Sequence, residues 1–280
     1  MTKGIAQPLL SFVISSFVIS PSPRQPLLDT AFPPSDKATI MTSSPTRLYF
    51  RQLLAGREFA QRDPVAAQMR NFAYLIGDRE THQCLVVDPA WDVPRLFDLA
   101  RADGMEIVGA LATHYHPDHV GGELFGFRVQ GLASVEEAKG IKVHCHREEA
   151  AGIRQVTGLS ASDLAMHDGG DHVEVGAIRV QLLHTPGHTP GSQCFLVDGR
   201  LVAGDTLFVE GCGRVDLPGG DPEEMYRTLT QRLSTLPADT ILFPGHDYGP
   251  VPSRTLGEER QESYYLQPRS LEEWKRLMGG

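Results

Sequence analysis

Seven residues able to hold a metal ion fall in four separate segments of this chain, and any fold must carry those segments to one point. The first segment reads Thr113-His114-Tyr115-His116-Pro117-Asp118-His119; His188, Asp205 and His246 follow, each beside a glycine. Imidazole nitrogens and carboxylate oxygens suit zinc and neighbouring first-row metals, and a catalytic site leaves one position open for water. Where a His-x-His segment ends a strand, the period of two puts both imidazoles on one side, so His114 and His116 are expected to grip one ion. Pro117 then turns the chain, and Asp118 with His119 can face a second ion. Asp205 has two oxygens and can bridge. A lone His-x-His would be weak evidence, because histidines satisfied by hydrogen bonds are common, but a full set of converging ligands marks a site.

The order of elements suggests two sheets flanked by helices. Asn71 to Ile76 and Gln83 to Val87 are apolar runs joined across Gly77-Asp78-Arg79-Glu80, a hairpin signal. Val93 to Ala102 has helical spacing, and Ile107 to Thr113 is a strand that delivers the His-x-His segment. Ile141 to Cys145 is a further strand, with a helix starting at His146-Arg147-Glu148-Glu149. Glu174 to Leu183 is a hairpin pattern leading to His188, followed by strands Gln193 to Val197 and Leu201 to Ala203, the latter ending at Asp205. Asp221-Pro222-Glu223-Glu224 combines an acidic N-cap with proline at N1 and glutamate at N3, and its helix is expected to run to about Leu236. Strand Thr240 to Phe243 delivers His246. Thr255 with Glu258, and Ser270 with Glu273, read as capping boxes of closing helices. Ala60 to Arg70 reads as an extra loop near the site.

These motifs carry a resemblance. Thr113 to His119, His184-Thr185-Pro186-Gly187-His188-Thr189-Pro190-Gly191-Ser192, Ala203-Gly204-Asp205-Thr206-Leu207-Phe208 and Pro244-Gly245-His246-Asp247-Tyr248 resemble the metallo-β-lactamase superfamily from roughly Leu48 to the C-terminus. Within it the chain is similar to the branch of glyoxalase II thioesterases and persulfide dioxygenases. The resemblance implies an α/β fold, the four-layer αβ/βα sandwich, with the site along one edge. It implies His114, His116 and His188 at one metal, Asp118, His119 and His246 at the other, and Asp205 between them. True β-lactamases of the superfamily lack an aspartate where Asp205 stands, which points away from antibiotic hydrolysis.

Two divalent ions, zinc or else iron or manganese, about 3.5 to 4 Å apart can share a water whose pKa falls to about 7. The resulting hydroxide would attack a carbonyl, so hydrolysis of a thioester by a glyoxalase II-like enzyme follows without a serine or cysteine nucleophile. Asp118 and Asp205 are the candidate catalytic carboxylates, Asp118 orienting the nucleophile and Asp205 fixing the spacing. The alternative uses His114, His188 and Asp205 as a two-histidine, one-carboxylate triad for a single Fe(II), as in persulfide dioxygenases that act on glutathione persulfide. Ligand inventory does not separate the two. Arg214 is followed by Val215 and Asp216 rather than by the two aromatics usual in glyoxalase II, and only Asp247 to Arg254 separates His246 from the Thr255 helix. Little room remains there for the helical domain that glyoxalase II uses to hold glutathione.

Arg214 is the candidate for binding a substrate carboxylate, since guanidinium pairs with carboxylates bidentately, although a structural pair with Asp216 competes with that role. Tyr248 can reach the pocket, or pack at a sheet edge. His82, His144, His146, His167, His172 and His184 lack partners at ligand spacing and read as structural or surface residues, with His184 open as a supporting partner of the cage. Gly211-Cys212-Gly213 is too short a signal to imply nucleotide binding.

The balance of 35 acidic against 26 basic residues, a formal charge of −9, repels phosphate backbones and argues for a small-molecule substrate, possibly a glutathione conjugate, over nucleic acid. Cys84, Cys145, Cys194 and Cys212 stand far apart, as reduced buried thiols do. The catalytic domain is expected over 46–280, with no internal repeat, and its oligomeric state is left open. The run from Pro8 to Ser20 is apolar but too short to span a bilayer, and residues up to 45, rich in Pro, Ser and Thr, read as a leader or disordered segment. Met41 is a possible true start, and a cytoplasmic location is the expectation.

Overall fold

The computed structural model describes residues 47–268 and 270–279. The apolar leader and Met41 lie outside the described residues.

Two six-stranded sheets form. The first runs, in spatial order, Leu48–Leu54, Phe72–Asp78, Gln83–Val87, Glu106–Leu111, Val143–His146 and Leu164–His167. Its first three strands pair antiparallel and the remainder parallel. The second runs Arg254–Thr255, Ile241–Pro244, Arg200–Gly204, Gln193–Val197, Ile178–His184 and His172–Val175, and only Arg200–Gly204 beside Ile241–Pro244 is parallel.

Both faces of each sheet are covered, which is why the strands read as near-continuous apolar runs. In Cys84-Leu85-Val86-Val87, Leu85 and Val87 join Tyr74, Ile76 and Leu111 in a core shared with Val180, Leu182, Phe195 and Val202 of the second sheet. Cys84 and Val86 point the other way, into a core that includes Leu96, Leu132 and Ile153 of the overlying helices. Behind the second sheet, Cys194, Leu201 and Leu242 pack with Met225, Leu256 and Trp274. The result is the expected αβ/βα sandwich.

Local signals set most elements. The helix Val93–Ala102 begins where expected, with the Asp92 side chain accepting from Arg95 N. Asp221 caps Pro222–Arg227 by accepting from Glu223 N and Glu224 N. Thr255 and Glu258 complete both halves of a capping box, and Ser270 accepts from Glu273 N at the start of Leu271–Leu277.

Several expectations need correction. The hairpin strands extend to Asp78 and Gln83, so the turn is 79–82 rather than one opening at Gly77. The strand before the His-x-His segment ends at Leu111, and the next is Val143–His146 rather than Ile141 to Cys145. The helix from Pro222 gives way at Thr228 to a wider π turn and then a 3-10 turn ending at Thr235. Ala60 to Arg70 is not a loop: Asp63 caps a helix over Pro64–Met69, and Arg70 ends it in the left-handed region at φ 55°. Leu132–Lys139, not among the expected helices, follows Gly131 with no side-chain cap and ends at Gly140 in the left-handed region at φ 63°. Among the described residues no helix is long and apolar enough to cross a membrane.

One end of the inter-sheet layer is filled by histidines. Period two along Val143–His146 turns His144 and His146 inward opposite the outward Val143 and Cys145. His144 Nδ1 lies 2.9 Å from His167 Nε2, and His146 stacks on His184 at 3.9 Å between centroids and 12° between planes. Burial, and then the neighbouring His167, hold His144 down to about 4.

A histidine near 6.5 when unfolded and about 4 when folded stabilises the fold only while neutral, so that stability is present above pH 6.5 and is lost as pH falls towards 4. Denaturant titrations across this window should show His144→Phe with a shallower pH slope, by up to about one proton; an unchanged slope would remove the assignment. Trp274 is fully buried, and its Nε1 donates to the Pro222 carbonyl at 2.7 Å. Trp274→Ala should cost about 3–5 kcal/mol in urea unfolding, and a loss under about 1 kcal/mol would mean the last helix is not part of this core.

Candidate metal centre

The site lies where strand ends from both sheets meet. Beyond Leu111 the chain bends at Thr113 and then makes one short helix, Pro117–Val120, with His116 in extended conformation at its N-cap. His188 sits in the loop between Ile178–His184 and Gln193–Val197, closed by Thr185 N donating to Ser192 O at 2.8 Å. Asp205 follows Gly204, whose φ of 49° and closeness to Thr113, 2.6 Å from an added Cβ, both call for glycine. His246 follows Gly245, where an added Cβ would meet Asp205 Oδ1 at 2.5 Å.

All seven expected residues come together, in two adjoining groups. His114, His116 and His188 form one, and Asp118, His119 and His246 the other, with the ligand atoms of each within 4.8 Å of one another. In the first, His116 Nδ1 is 3.1 Å from His114 Nε2 and 3.0 Å from His188 Nε2. In the second, His119 Nε2 is 3.1 Å from His246 Nε2. Asp205 lies between them. Its Oδ1 is 3.3 Å from His119 Nε2 and 3.5 Å from His246 Nε2, while its Oδ2 is 3.5 Å from His188 Nε2.

The outer nitrogens decide what these contacts are. His119 Nδ1 is 2.9 Å from Asp88 Oδ2, His246 Nδ1 is 2.8 Å from Met69 O, and His188 Nδ1 is 2.7 Å from Arg214 O. His114 Nδ1 is 3.0 Å from Thr113 Oγ1, which itself donates to Asp88 Oδ2 at 2.6 Å. Each of these partners accepts, so each outer nitrogen carries the proton and the inner one presents a lone pair. At 3.1 Å the lone pairs of neutral His119 and His246 repel unless a proton or a metal ion sits between them, and His114 and His188 aim theirs at His116 Nδ1 from 3.1 and 3.0 Å. Two nitrogens bound to one zinc at about 2.0–2.1 Å stand roughly 3.3 Å apart. The buried Asp205 Oδ1, which has no hydrogen-bond donor, completes a set that fits divalent metal ions.

Electrostatics separates the groups. Burial, and then the neighbouring imidazoles, hold His114 well below its ordinary range and His116 down to about 3. His188 is also lowered by burial. In the second group burial pulls the same way, but Asp205 and Asp118 outweigh it, raising His119 well above 6.5 and His246 to about 9. Asp118 is buried, which opposes its charge, yet His119 and His246 hold it well below the ordinary carboxylate range.

Sequence reasoning missed four supporting residues. Asp88 accepts from Thr113 N, Thr113 Oγ1 and His119 Nδ1 and so aims two ligands; its only signal was an acid closing an apolar strand. Asn71 donates to Asp118 Oδ2 at 3.0 Å, and Trp91 Nε1 donates to Asn71 Oδ1 at 3.0 Å. Glu149, fully buried, accepts from Tyr115 N, Thr189 Oγ1 and Gly191 N. Burial pushes its carboxyl up to about 7 against those three donors.

Other candidates take less direct places. Arg214 pairs bidentately with Asp216 at 2.7 and 2.6 Å, and it touches the cage through its carbonyl. Tyr248 stacks on His246 at 4.5 Å with 7° between planes, and its buried hydroxyl has no hydrogen-bond partner. His184 reaches the Pro190 carbonyl at 2.9 Å in the loop that carries His188. Its ring also stacks on His146, and these two with Glu148 bring ligand atoms within 4.8 Å of one another, apart from the seven-residue cage. Cys212 is buried, and the second glycine of the Gly-x-Gly, Gly213, is called for by packing, because a Cβ there would lie 1.9 Å from Asp205 O.

A family profile described as the metallo-β-lactamase superfamily matches residues 68–246. The chain is 33% identical over 215 residues to the mitochondrial persulfide dioxygenase of Homo sapiens, covering 74% of this chain and 76% of that one. It is 36% identical over 183 residues to a hydroxyacylglutathione hydrolase of Nitrosococcus oceani, covering 64% of this chain and 63% of the relative. The crystal structure of ETHE1 from Myxococcus xanthus superposes with a TM-score of 0.67 at 29% identity, over 83% of this chain and 90% of that one.

Metal ligation requires neutral imidazoles, so loading the second group must expel the protons that His119 and His246 hold in the metal-free protein. Calorimetric zinc titrations at pH 7.5 in buffers of different ionisation enthalpy should report about two protons released per filled cage. Release should shrink as the pH passes about 9, where His246 is already neutral. Binding that releases no protons at pH 7.5 would contradict this assignment.

Proposed function

The chain belongs to the metallo-β-lactamase superfamily, and from that premise we propose that it is a metal-dependent hydrolase of the glyoxalase II-like kind, cleaving a thioester or related ester. The observation that carries this reading is the orientation of His116. Its Nδ1 stands as close to His114 as to His188, so three nitrogens frame one position while Asp118, His119 and His246 frame another. Two positions that share a carboxylate are the arrangement of two-metal hydrolysis.

When bound, divalent ions there would make water nucleophilic at neutral pH and polarise the acyl carbonyl. The chain's own groups supply the geometry. Asp205 spans the two positions with its two oxygens and fixes their separation. Asp118, held by Asn71 and kept ionised by His119 and His246, orients the attacking water rather than taking its proton, because so weak a base holds a proton poorly. Water adds to the acyl carbon, the carbon–sulfur bond breaks, and the products are an acid and a thiol. The four cysteines are buried, and burial raises every one of their thiols, to about 11 for Cys194 and about 12 for Cys84 and Cys145, which suits a role as core side chains rather than nucleophiles.

Arg214 and Tyr248 stand on the substrate side of this proposal. An incoming carboxylate would compete with Asp216 for the Arg214 guanidinium, and the unpartnered Tyr248 hydroxyl, next to His246, would donate to a substrate oxygen. A glutathione conjugate fits the name of the Nitrosococcus oceani relative. Residues 46–280 would form the catalytic domain.

A second reading has its own support. The match to the human persulfide dioxygenase spans 76% of that protein, and the superposition covers 90% of the Myxococcus xanthus chain, against 63% of the Nitrosococcus oceani hydrolase. On that reading His114, His188 and Asp205 hold one Fe(II), and His116, Asp118, His119 and His246 support them.

His116→Ala separates the two. Hydrolysis should fall on the order of 100-fold or more, since one ion loses a ligand from its set of histidines; full thioesterase activity in that variant would defeat the two-ion reading. Oxygen uptake by Fe(II)-loaded protein given glutathione persulfide, with sulfite formed and retained in His116→Ala, would establish the dioxygenase instead.

A further inference from the structure

We propose that Glu149 is a positioning residue that sets the metal affinity of the His114, His116 and His188 group and leaves that of Asp118, His119 and His246 alone. Its side chain is fully buried just beyond the Val143–His146 strand. Oε2 accepts from Tyr115 N at 2.7 Å. Oε1 accepts from Thr189 Oγ1 and from Gly191 N, both at 2.8 Å. Tyr115 lies between His114 and His116, and Thr189 directly follows His188. One carboxyl therefore ties together the two segments that carry all three imidazoles of the first group.

The second group hangs on other supports. His119 is aimed by Asp88, His246 by the Met69 carbonyl and Asp118 by Asn71. Close packing makes the Glu149 junction stiff. A Cβ on Gly191 would lie 2.8 Å from Glu149 N, and one on Gly152 would lie 2.6 Å from the Tyr115 ring. Every partner of the carboxyl is a donor, two of them backbone N–H groups, so both oxygens must accept. Glutamine cannot do this: its NH2 would face either the Tyr115 N–H or the Thr189 and Gly191 pair, breaking one side of the junction while conserving volume.

This role rests on the reading of the cage residues as metal ligands, and the experiment keeps the two apart. Cobalt(II) is titrated at pH 8 into the metal-stripped full chain, against a competing chelator, in two backgrounds. His246→Ala leaves the first group intact, and His116→Ala leaves the second. Adding Glu149→Gln should weaken cobalt binding about 10- to 100-fold in the His246→Ala background and less than about threefold in the His116→Ala background. Thr189→Val, which removes one of the three hydrogen bonds and disturbs the core less, should follow the same pattern at about three- to tenfold; it carries the test if Glu149→Gln does not fold. Unchanged affinity in the His246→Ala background, or equal losses in both, would overturn the proposal. Cobalt stoichiometry and affinity unaffected by His116→Ala and His246→Ala themselves would overturn the ligand reading and this role with it.

Discussion

The structure depends on the crowding of five imidazoles and two carboxylates into one buried site. Inner nitrogens of His114 and His188 face His116 Nδ1 at 3.0–3.1 Å and those of His119 and His246 face each other at 3.1 Å, while the outer nitrogens of His114, His119, His188 and His246 donate to acceptors. Such crowding of polar atoms is costly in a buried setting, and at the second group the Asn71 side-chain amide lies 3.3 Å from His119 Nε2 and 3.4 Å from His246 Nε2. In the second group the charge of Asp118 and Asp205 draws protons onto His119 and His246, so protons hold the positions that a divalent ion would take. The first group has no carboxylate of its own beyond one oxygen of Asp205, and its imidazoles stay neutral. The two halves of the cage thus differ in electrostatics although they share ligand types.

The sandwich exists to hold that arrangement still. Ligand-bearing segments leave strand ends on both sheets, and each is pinned by groups outside the cage. Phe72 N donates to Gly245 O at 2.8 Å, Asp247 N donates to Arg70 O at 2.9 Å, and Gln193 N donates to Thr113 O at 3.0 Å, so the two sheets are stitched together beside the ligands. Tyr74, in the first sheet, donates its hydroxyl to the Pro244 carbonyl of the second, one residue before Gly245. Asp78 does the same on the far side, where Gly176 leaves room for a carboxylate that also accepts from Ala177 N. Glycines beside Asp205 and His246 matter for the same reason: a side chain at either would press directly on the bridging carboxylate or the segment next to it.

Histidine serves two physical purposes here. In the cage its lone pairs converge. At the edge of the inter-sheet layer, His144 pairs with His167 and His146 stacks on His184, and burial lowers His144 and His146. Residue type alone does not distinguish these uses.

The seven candidate residues that converge, the sandwich architecture and the capped helices at Asp221 and Thr255 were legible in the sequence, because each rests on short-range chemistry: residue type, strand period and a side chain reaching its own helix terminus. The supporting residues were not. Asp88 and Glu149 look in sequence like any acid near a strand end, and their partners lie 25 to 42 positions away. The helix at Pro64–Met69 was misread as a loop because it is short, and its role, accepting a hydrogen bond from His246 Nδ1 on the Met69 carbonyl, spans 177 positions. Sequence determined which atoms could bind metal, since that is a property of the side chain. Only tertiary structure decided which nitrogen of each imidazole faces inward and which ligands share a support, because both depend on hydrogen bonds between segments that are distant in the chain.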